Sequence, residues 1–260
     1  MIKEIIDKLV ALLAVSALLA SCSESELWQN PQTEARDGYI MLNFKTEIPA
    51  MQEVVTRAVD PDGGGVQDMT LFCFDSYGLF ISTVKAGVTV QKPGPGEMEG
   101  TFKAEVPENT RTIHFLANQN MDEFKEDSFR NKSESEVMAV LEGSSGRMIY
   151  WGRFACDAGN DSNIAEQMAT SGNSVKLIRN HARISVDNPD NNGHIVITGF
   201  AVCNTNAFGT VAPHHPKKGF DFTWPSSDDP FVTLPVNDAK MSDITEVTSS
   251  MNQYVFECEN

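Results

Sequence analysis

The chain has 260 residues, 41% hydrophobic and 8% aromatic, with 20 Lys and Arg against 36 Asp and Glu and a formal net charge of -16. That apolar content supports a packed core and excludes a chain disordered throughout. So acidic a surface repels phosphate backbones and anionic lipid heads, which excludes nucleic acid as a partner.

The first residues read as an export address. Lys3 and Lys8 make a basic start, diluted by Glu4 and Asp7, and Leu9 to Ala20 is an apolar run. At roughly 1.5 Å per residue the run is too short to cross a hydrocarbon layer of about 30 Å. It fits the centre of a secretory signal. It ends in Leu19-Ala20-Ser21-Cys22, similar to a bacterial lipobox, in which small residues suit the peptidase and the cysteine thiol takes a diacylglycerol. Residues 1–21 are therefore expected to be a lipoprotein signal peptide and Cys22 a lipidation site, with acyl chains holding the protein to a membrane. Removing the leader takes two lysines and two acids, so the net charge is unchanged. Ser23-Glu24-Ser25-Glu26 reads either as a solvated linker or as an acidic tag that directs lipoproteins to the outer face.

Strands follow. Tyr39 to Lys45 alternates Ile40, Leu42 and Phe44 on one face, the period of a half-buried strand. Residues 47–60 are irregular, and Pro61-Asp62-Gly63-Gly64-Gly65 is a loop. Met69 to Asp75 is a second strand, turned by Ser76-Tyr77-Gly78 into a hairpin partner at Leu79 to Val84. Pro93 to Gly96 is another turn; Gly100 to Val106 and Thr110 to Asn118 alternate again. Ser133-Glu134-Ser135-Glu136 matches a capping box, and Val137, Val140 and Leu141 have helical spacing before Gly143. This predicts one short crossover helix. Met148 to Phe154 reads as a strand, Asp157 to Gln167 as a loop, Val175 to Val186 and His194 to Cys203 as strands, Ala212 to Asp229 as a long loop, and Gln253 to Cys258 as a last strand. Short strands with Gly and Pro turns predict an all-β sandwich.

Candidate chemistry is thin. Cys73, Cys156, Cys203 and Cys258 lack Cys-x-x-Cys spacing, which argues against zinc. Cys73 and Cys203 lie in apolar runs, so free structural thiols are expected, although an exported chain permits disulfides. His214 and His215 are adjacent and splay apart in an extended chain, which predicts no metal site. His114, opposite Ile113 and Phe115, is expected to be an exposed strand residue. No nucleophile elbow, phosphate loop or zinc-protease motif occurs. Neither an enzyme nor a cofactor is expected. Of Trp28, Trp151 and Trp224, only Trp224 reads as a surface platform for sugars.

Several segments in order carry a resemblance: the lipobox at Cys22, Tyr39 to Lys45, Thr56-Arg57-Ala58, Met69 to Asp75 with Gly78, Arg111 to Asn118, Val175 to Arg183, Ala201 to Asn204 with Phe208-Gly209, and Tyr254 to Glu257. In order and spacing the chain resembles the fimbrillin family, the major and minor subunits of lipoprotein-derived fimbriae of anaerobic Gram-negative bacteria. The resemblance implies two tandem β-sandwich domains of transthyretin-like, Greek-key topology. It also implies a lipidated precursor at the outer membrane, an arginine-specific protease that removes the first strand, and a replacement strand from another fimbrial subunit. On this sequence Arg57 would be the processing site, and Ile40, Leu42 and Phe44 the strand-exchange face. Arg36 is the rival, but a cut there leaves the strand attached. The implied organisation is a signal at 1–21, a linker and removable strand at 22–57, an N-terminal sandwich at 58–182, and the start of a second sandwich at 183–260. That second domain is expected to be short or truncated, since family members carry a longer one. The competing reading is a surface lipoprotein that does not polymerise, acting as a fimbrial anchor, an adhesin or a glycan-binding module.

Overall fold

The computed structural model describes residues 35–47, 66–93, 98–144, 148–186, 197, 199–206, 208–215, 219–220, 222, 241–244 and 252–255. The leader, Cys22, Trp28, Arg57, the Gly-rich loop at 61–65, His194, Trp224 and Cys258 lie outside them.

In chain order the strands are β1 (Tyr39–Glu47), β2 (Met69–Phe74), β3 (Phe80–Lys85), β4 (Gly87–Pro93), β5 (Met98–Pro107), β6 (Thr112–Ala117), β7 (Glu142–Ser144), β8 (Tyr150–Ala155), β9 (Ser174–Lys176) and β10 (Ile178–Arg179). Then come β11 (Ala182–Ser185), β12 (Cys203–Asn206), β13 (Phe208–Thr210), β14 (His214–His215), β15 (Gly219–Phe220), β16 (Met241–Ile244) and β17 (Asn252–Val255). Among the described residues the α-helices are α1 (Glu134–Met138) and α2 (Ile164–Thr170), with a 3-10 turn at Glu126–Phe129.

Two sheets make the sandwich. A four-stranded sheet runs β4-β5-β1-β9 and a five-stranded sheet runs β10-β8-β6-β2-β3. The core between them is built by period-two rows: Ile40, Leu42 and Phe44 from β1, Phe102, Ala104 and Val106 from β5, Leu71 and Cys73 from β2, Ile113 and Phe115 from β6. Twice the chain passes from one sheet to the other with a single residue between strands, at Ala86 and at Leu177. Such corners are how strands change sheets in a closed sandwich.

The five-stranded sheet is buried on its other face too. Phe72, Phe74, Leu116 and Trp151 form a second core with Phe80, with Val137, Met138 and Leu141 of the α1 region, and with Val211 and Ala212. Phe124, Phe129, Phe220 and Phe222 pack against it. This corrects the expected exposure of His114. It does lie opposite Ile113 and Phe115, but that face is covered and His114 is 0% exposed. Every residue of β2 and β6 is buried, so alternation there separates two cores rather than core from water.

The helices repeat one device. Ser133 accepts from the Glu136 N–H while the Glu136 carboxylate accepts from the Ser133 N–H, the capping box predicted from sequence. Val140 is half exposed, and Met138 takes the buried place beside Val137 and Leu141. Asn163 and Glu166 make the same box at α2, inside the stretch expected to be loop. Asn163-x-x-Glu166 ahead of Met168 was the available signal.

Three further expectations are corrected. Val175 to Val186 is not one strand but β9, β10 and β11, because it bends between sheets. Residues 197, 199, 201 and 202 are not in a strand and Phe200 makes only a single bridge; the strand itself begins at Cys203, paired with β16. Within the expected long loop, β14 and β15 pair antiparallel, and Ala212 is buried. Outside the sandwich, β13 pairs with β7 and β11 with β17. Cys73 and Cys156 are free thiols. Burial pushes the Cys73 thiol up to about 12, so it is inert.

Gly152 lets the second corner close. A Cβ there would lie 2.5 Å from the Lys176 carbonyl oxygen and 2.8 Å from Leu177 Cδ2. Gly152→Ala is therefore expected to cost about 1–3 kcal/mol by overpacking. Urea denaturation at neutral pH measures it; an unchanged midpoint would show that this crossing is not close-packed.

Candidate functional site

β1 lies inside its sheet. On one side it pairs antiparallel with β5, from Tyr39 opposite Pro107 to Thr46 opposite Gly100. On the other its last residues, Lys45 to Glu47, pair parallel with Ser174 to Lys176 of β9. Ile40, Leu42 and Phe44 point into the sandwich with 6%, 1% and 0% exposure. Phe44 stacks on Phe102 at 5.5 Å and meets Phe115 edge-on at 5.0 Å. The structure thus places the three residues singled out in the sequence on one buried face.

The neighbours of β1 reach it by short links. Helix α2 ends with the Asn173 N–H donating to the Met168 carbonyl and the Gly172 N–H to Ala169, a Schellman-type stop. That turn aims the Asn173 carbonyl at the Lys45 N–H, 2.7 Å away. The Ser174 hydroxyl donates to the Glu47 carboxylate at 2.6 Å, and the Leu177 N–H to the Glu47 carbonyl at 2.8 Å. Among the described residues, the strand pairing of β9 is to β1 alone. Without β1, the sheet would present unpaired N–H and C=O groups on β5 and β9 along an apolar trough.

A second cluster lies on the far face of the five-stranded sheet. Trp151 donates its indole N–H to His114 Nδ1 at 3.0 Å. His114 Nε2 stands 2.6 Å from Glu134 Oε2. Since an indole can only donate, Nδ1 is the acceptor and Nε2 carries the proton given to the carboxylate. Arg153 grips the same carboxylate with Nε at 2.7 Å and Nη2 at 3.1 Å. Phe222 meets the His114 ring edge-on at 4.7 Å. Sequence reasoning missed the cluster because Glu134 was read only as part of a helix start.

The electrostatics match a structural role. Burial lowers the His114 pKa, against the hydrogen bond and charge of Glu134. For Glu134 burial works upward, but the bonds from His114 and Arg153 outweigh it and hold the carboxyl at about 2. His181 is lowered to about 4 by burial. Both His114 nitrogens are occupied, so the ring has no free lone pair to act as a base. Its work is to pin α1 and Phe222 to the sheet.

The remaining candidates stay apart. His214 and His215 sit in the β14–β15 pair, and Trp151 is buried at 1% exposure. Among the described residues no group of three or more His, Cys, Asp or Glu is placed to hold a metal ion, and no helix is long and apolar enough to cross a membrane.

No family model matches the chain, and no curated protein does. Solved structures to which the chain is similar include a fimbrial assembly protein from Parabacteroides distasonis, at 14% identity over 84% of this chain and 86% of that one, with a TM-score of 0.40. Two others are of proteins assigned to cell adhesion. One, from the same species, is 14% identical over 84% of this chain and 70% of that one, with a TM-score of 0.46. The other, from Bacteroides eggerthii, is 11% identical over 83% of this chain and 70% of that one, with a TM-score of 0.37.

The two histidines set an acid limit. Their folded pKa values lie below the unfolded value of about 6.5, so the unfolded chain binds more protons as pH falls. Their stabilisation is complete above pH ~6.5 and is lost on acidification, for His181 by about pH 4. Glu134 adds a further loss between 4.5 and about 2. Urea unfolding across pH 8 to 4 is expected to show a level plateau and then a fall starting near pH 6.5. In the double variant His114→Gln, His181→Gln that fall is expected to flatten; a slope identical to wild type would remove these histidines as its cause.

Proposed function

We propose that this chain is a structural subunit of a cell-surface fimbria, exported as a lipoprotein anchored at Cys22 to the outer membrane. Cleavage by an arginine-specific protease after Arg57 severs β1 from β2, and a strand from another subunit takes the place of β1. The observation that carries the reading is the interior position of β1, with Ile40, Leu42 and Phe44 in the core. The order of motifs that resembles the fimbrillins supplies the class of partner.

The energetics favour exchange over simple loss. Burying each of three such side chains is worth roughly 1.5–3 kcal/mol. Together they are worth about 5–9 kcal/mol, a large share of the 5–15 kcal/mol that stabilises a typical domain. The cut breaks a covalent link but none of the ladder bonds, so β1 remains seated until another strand competes for the same groups. A donated strand restores the hydrogen bonds and the apolar plugs together, which is strand addition. Because Cys22 lies on the β1 side of the cut, exchange also frees the subunit from its lipid.

The retained chain, from Ala58 on, would comprise the N-terminal sandwich at 58–182 and a second β-sandwich region at 183–260. The subunit would be purely structural, with no catalytic group, metal or cofactor.

N-terminal sequencing of surface-extracted protein is the test. A start at Ala58 in polymeric material is expected. Arg57→Ala is expected to leave a lipidated monomer and to abolish polymer. A blocked, lipidated Cys22 in wild-type protein would favour the anchor or adhesin role, and normal polymerisation of the Arg57 variant would exclude that processing site.

A further inference from the structure

Two arginines flank the first strand, and the same protease specificity would treat them alike. A cut after Arg57 separates β1 from the body; a cut after Arg36 leaves it attached and yields a subunit that cannot exchange. Selection between them cannot come from residue type, which is the same at both sites.

We infer that the Arg36–Asp37 bond is shielded from arginine-specific proteolysis by the turn that opens β1 and by Glu105 on β5. The inference rests on the processing reading for its purpose, although the geometry is independent of it. Arg36 Nε lies 2.7 Å from Glu105 Oε2, and the Arg36 N–H points at the other carboxylate oxygen at 3.4 Å. The guanidinium lies over the Tyr39 ring, 4.5 Å from its centroid. The Tyr39 N–H donates to the Arg36 carbonyl at 3.0 Å, closing a turn across Asp37 and Gly38. Gly38 takes φ +77° there, and its carbonyl accepts from the Glu108 N–H at 3.0 Å.

An endoprotease reads its substrate as an extended strand, with main-chain hydrogen bonds on both sides of the scissile bond. Asp37 and Gly38 lie in the turn, the Gly38 carbonyl is bonded to the Glu108 N–H just after β5, and Tyr39 is already paired opposite Pro107. Extending them means opening the turn, breaking the Glu105 pair and peeling Tyr39 and Ile40 from Pro107 and Val106. Ile40 is buried. Arg36 is itself 69% exposed, so the protection lies in the backbone and the carboxylate, not in burial. Cleavage then follows the population of an opened state, whereas preferred nicking sites are exposed tips without such bonds.

The pair is exposed at one end, so its share is modest. A surface ion pair contributes up to about 1 kcal/mol, a factor of up to about five in the opened population. The turn and the start of the ladder account for the rest.

The test uses the full chain carrying Arg57→Gln, an arginine-specific endoprotease, and mass spectrometry of the fragment beginning at Asp37. A synthetic peptide spanning residues 30–44 sets the unprotected rate. The folded chain is expected to be cut after Arg36 on the order of 100-fold more slowly than the peptide. Adding Glu105→Gln is expected to raise the folded-chain rate about two- to five-fold, with circular dichroism confirming an unchanged fold. Cleavage of the folded chain at the peptide's rate, or a rate that Glu105→Gln leaves unchanged, overturns the inference. A wild-type chain left uncut at Arg57 while Arg36 stays protected would sink the processing reading and leave this one standing.

Discussion

The interior place of β1 governs the rest of the sandwich. A strand at a sheet edge has one ladder; β1 has two, antiparallel to β5 and parallel to β9. It also fills the middle of the core, where Phe44 touches rings from both sheets. β5 could keep its pairing with β4 if β1 were absent. β9 could not keep its own, since its described ladder runs to β1. The first strand therefore holds two neighbours of unequal independence, and the weaker one leads directly into the corner at Leu177.

The opposite sheet depends on a different constraint. Its central strands are buried on both faces, so polar groups there must find partners inside. The His114–Glu134–Arg153–Trp151 cluster meets that need at the one titratable ring on β6. The carboxylate comes from the first turn of α1, where the capping box orients the helix start. Arg153 supplies the countercharge from the adjacent strand β8. Helix and sheet are joined by charge-assisted bonds, and the Phe222 ring covers the join.

The sequence was readable where one physical signal acted alone. Period two in Ile40, Leu42 and Phe44 marks a single buried face, and the Ser133 and Glu136 spacing marks a helix start; both elements lie where those residues place them. It misled where two surfaces competed for one strand. His114 satisfies the alternation rule and is nonetheless buried, because the rule separates faces and says nothing of what covers them. Residues 175–186 are apolar enough for one strand, yet the path turns at Leu177 beside Gly152, a close approach that only three dimensions reveal. The helix at 164–170 was legible in principle, since Asn163 caps as Ser133 does. Glu105 could not have been assigned to Arg36, because the β1–β5 register that brings them together is nonlocal.

The two ladders of β1 also limit what could stand in its place. A replacement must run antiparallel to β5, or the alternation of close and wide bonded pairs along that ladder is lost. Run that way, it also reaches β9 in parallel, but only if it extends to the level of Lys45 to Glu47. A shorter strand could fill the apolar trough at Ile40, Leu42 and Phe44 and still leave Ser174 to Lys176 unpaired. Filling the core and closing the sheet are thus separate requirements, satisfied at opposite ends of the same slot. A one-residue slip in register would turn the plugs outward and defeat the first while meeting the second. The shape of the slot therefore selects direction, length and register together, and apolar content alone cannot satisfy it.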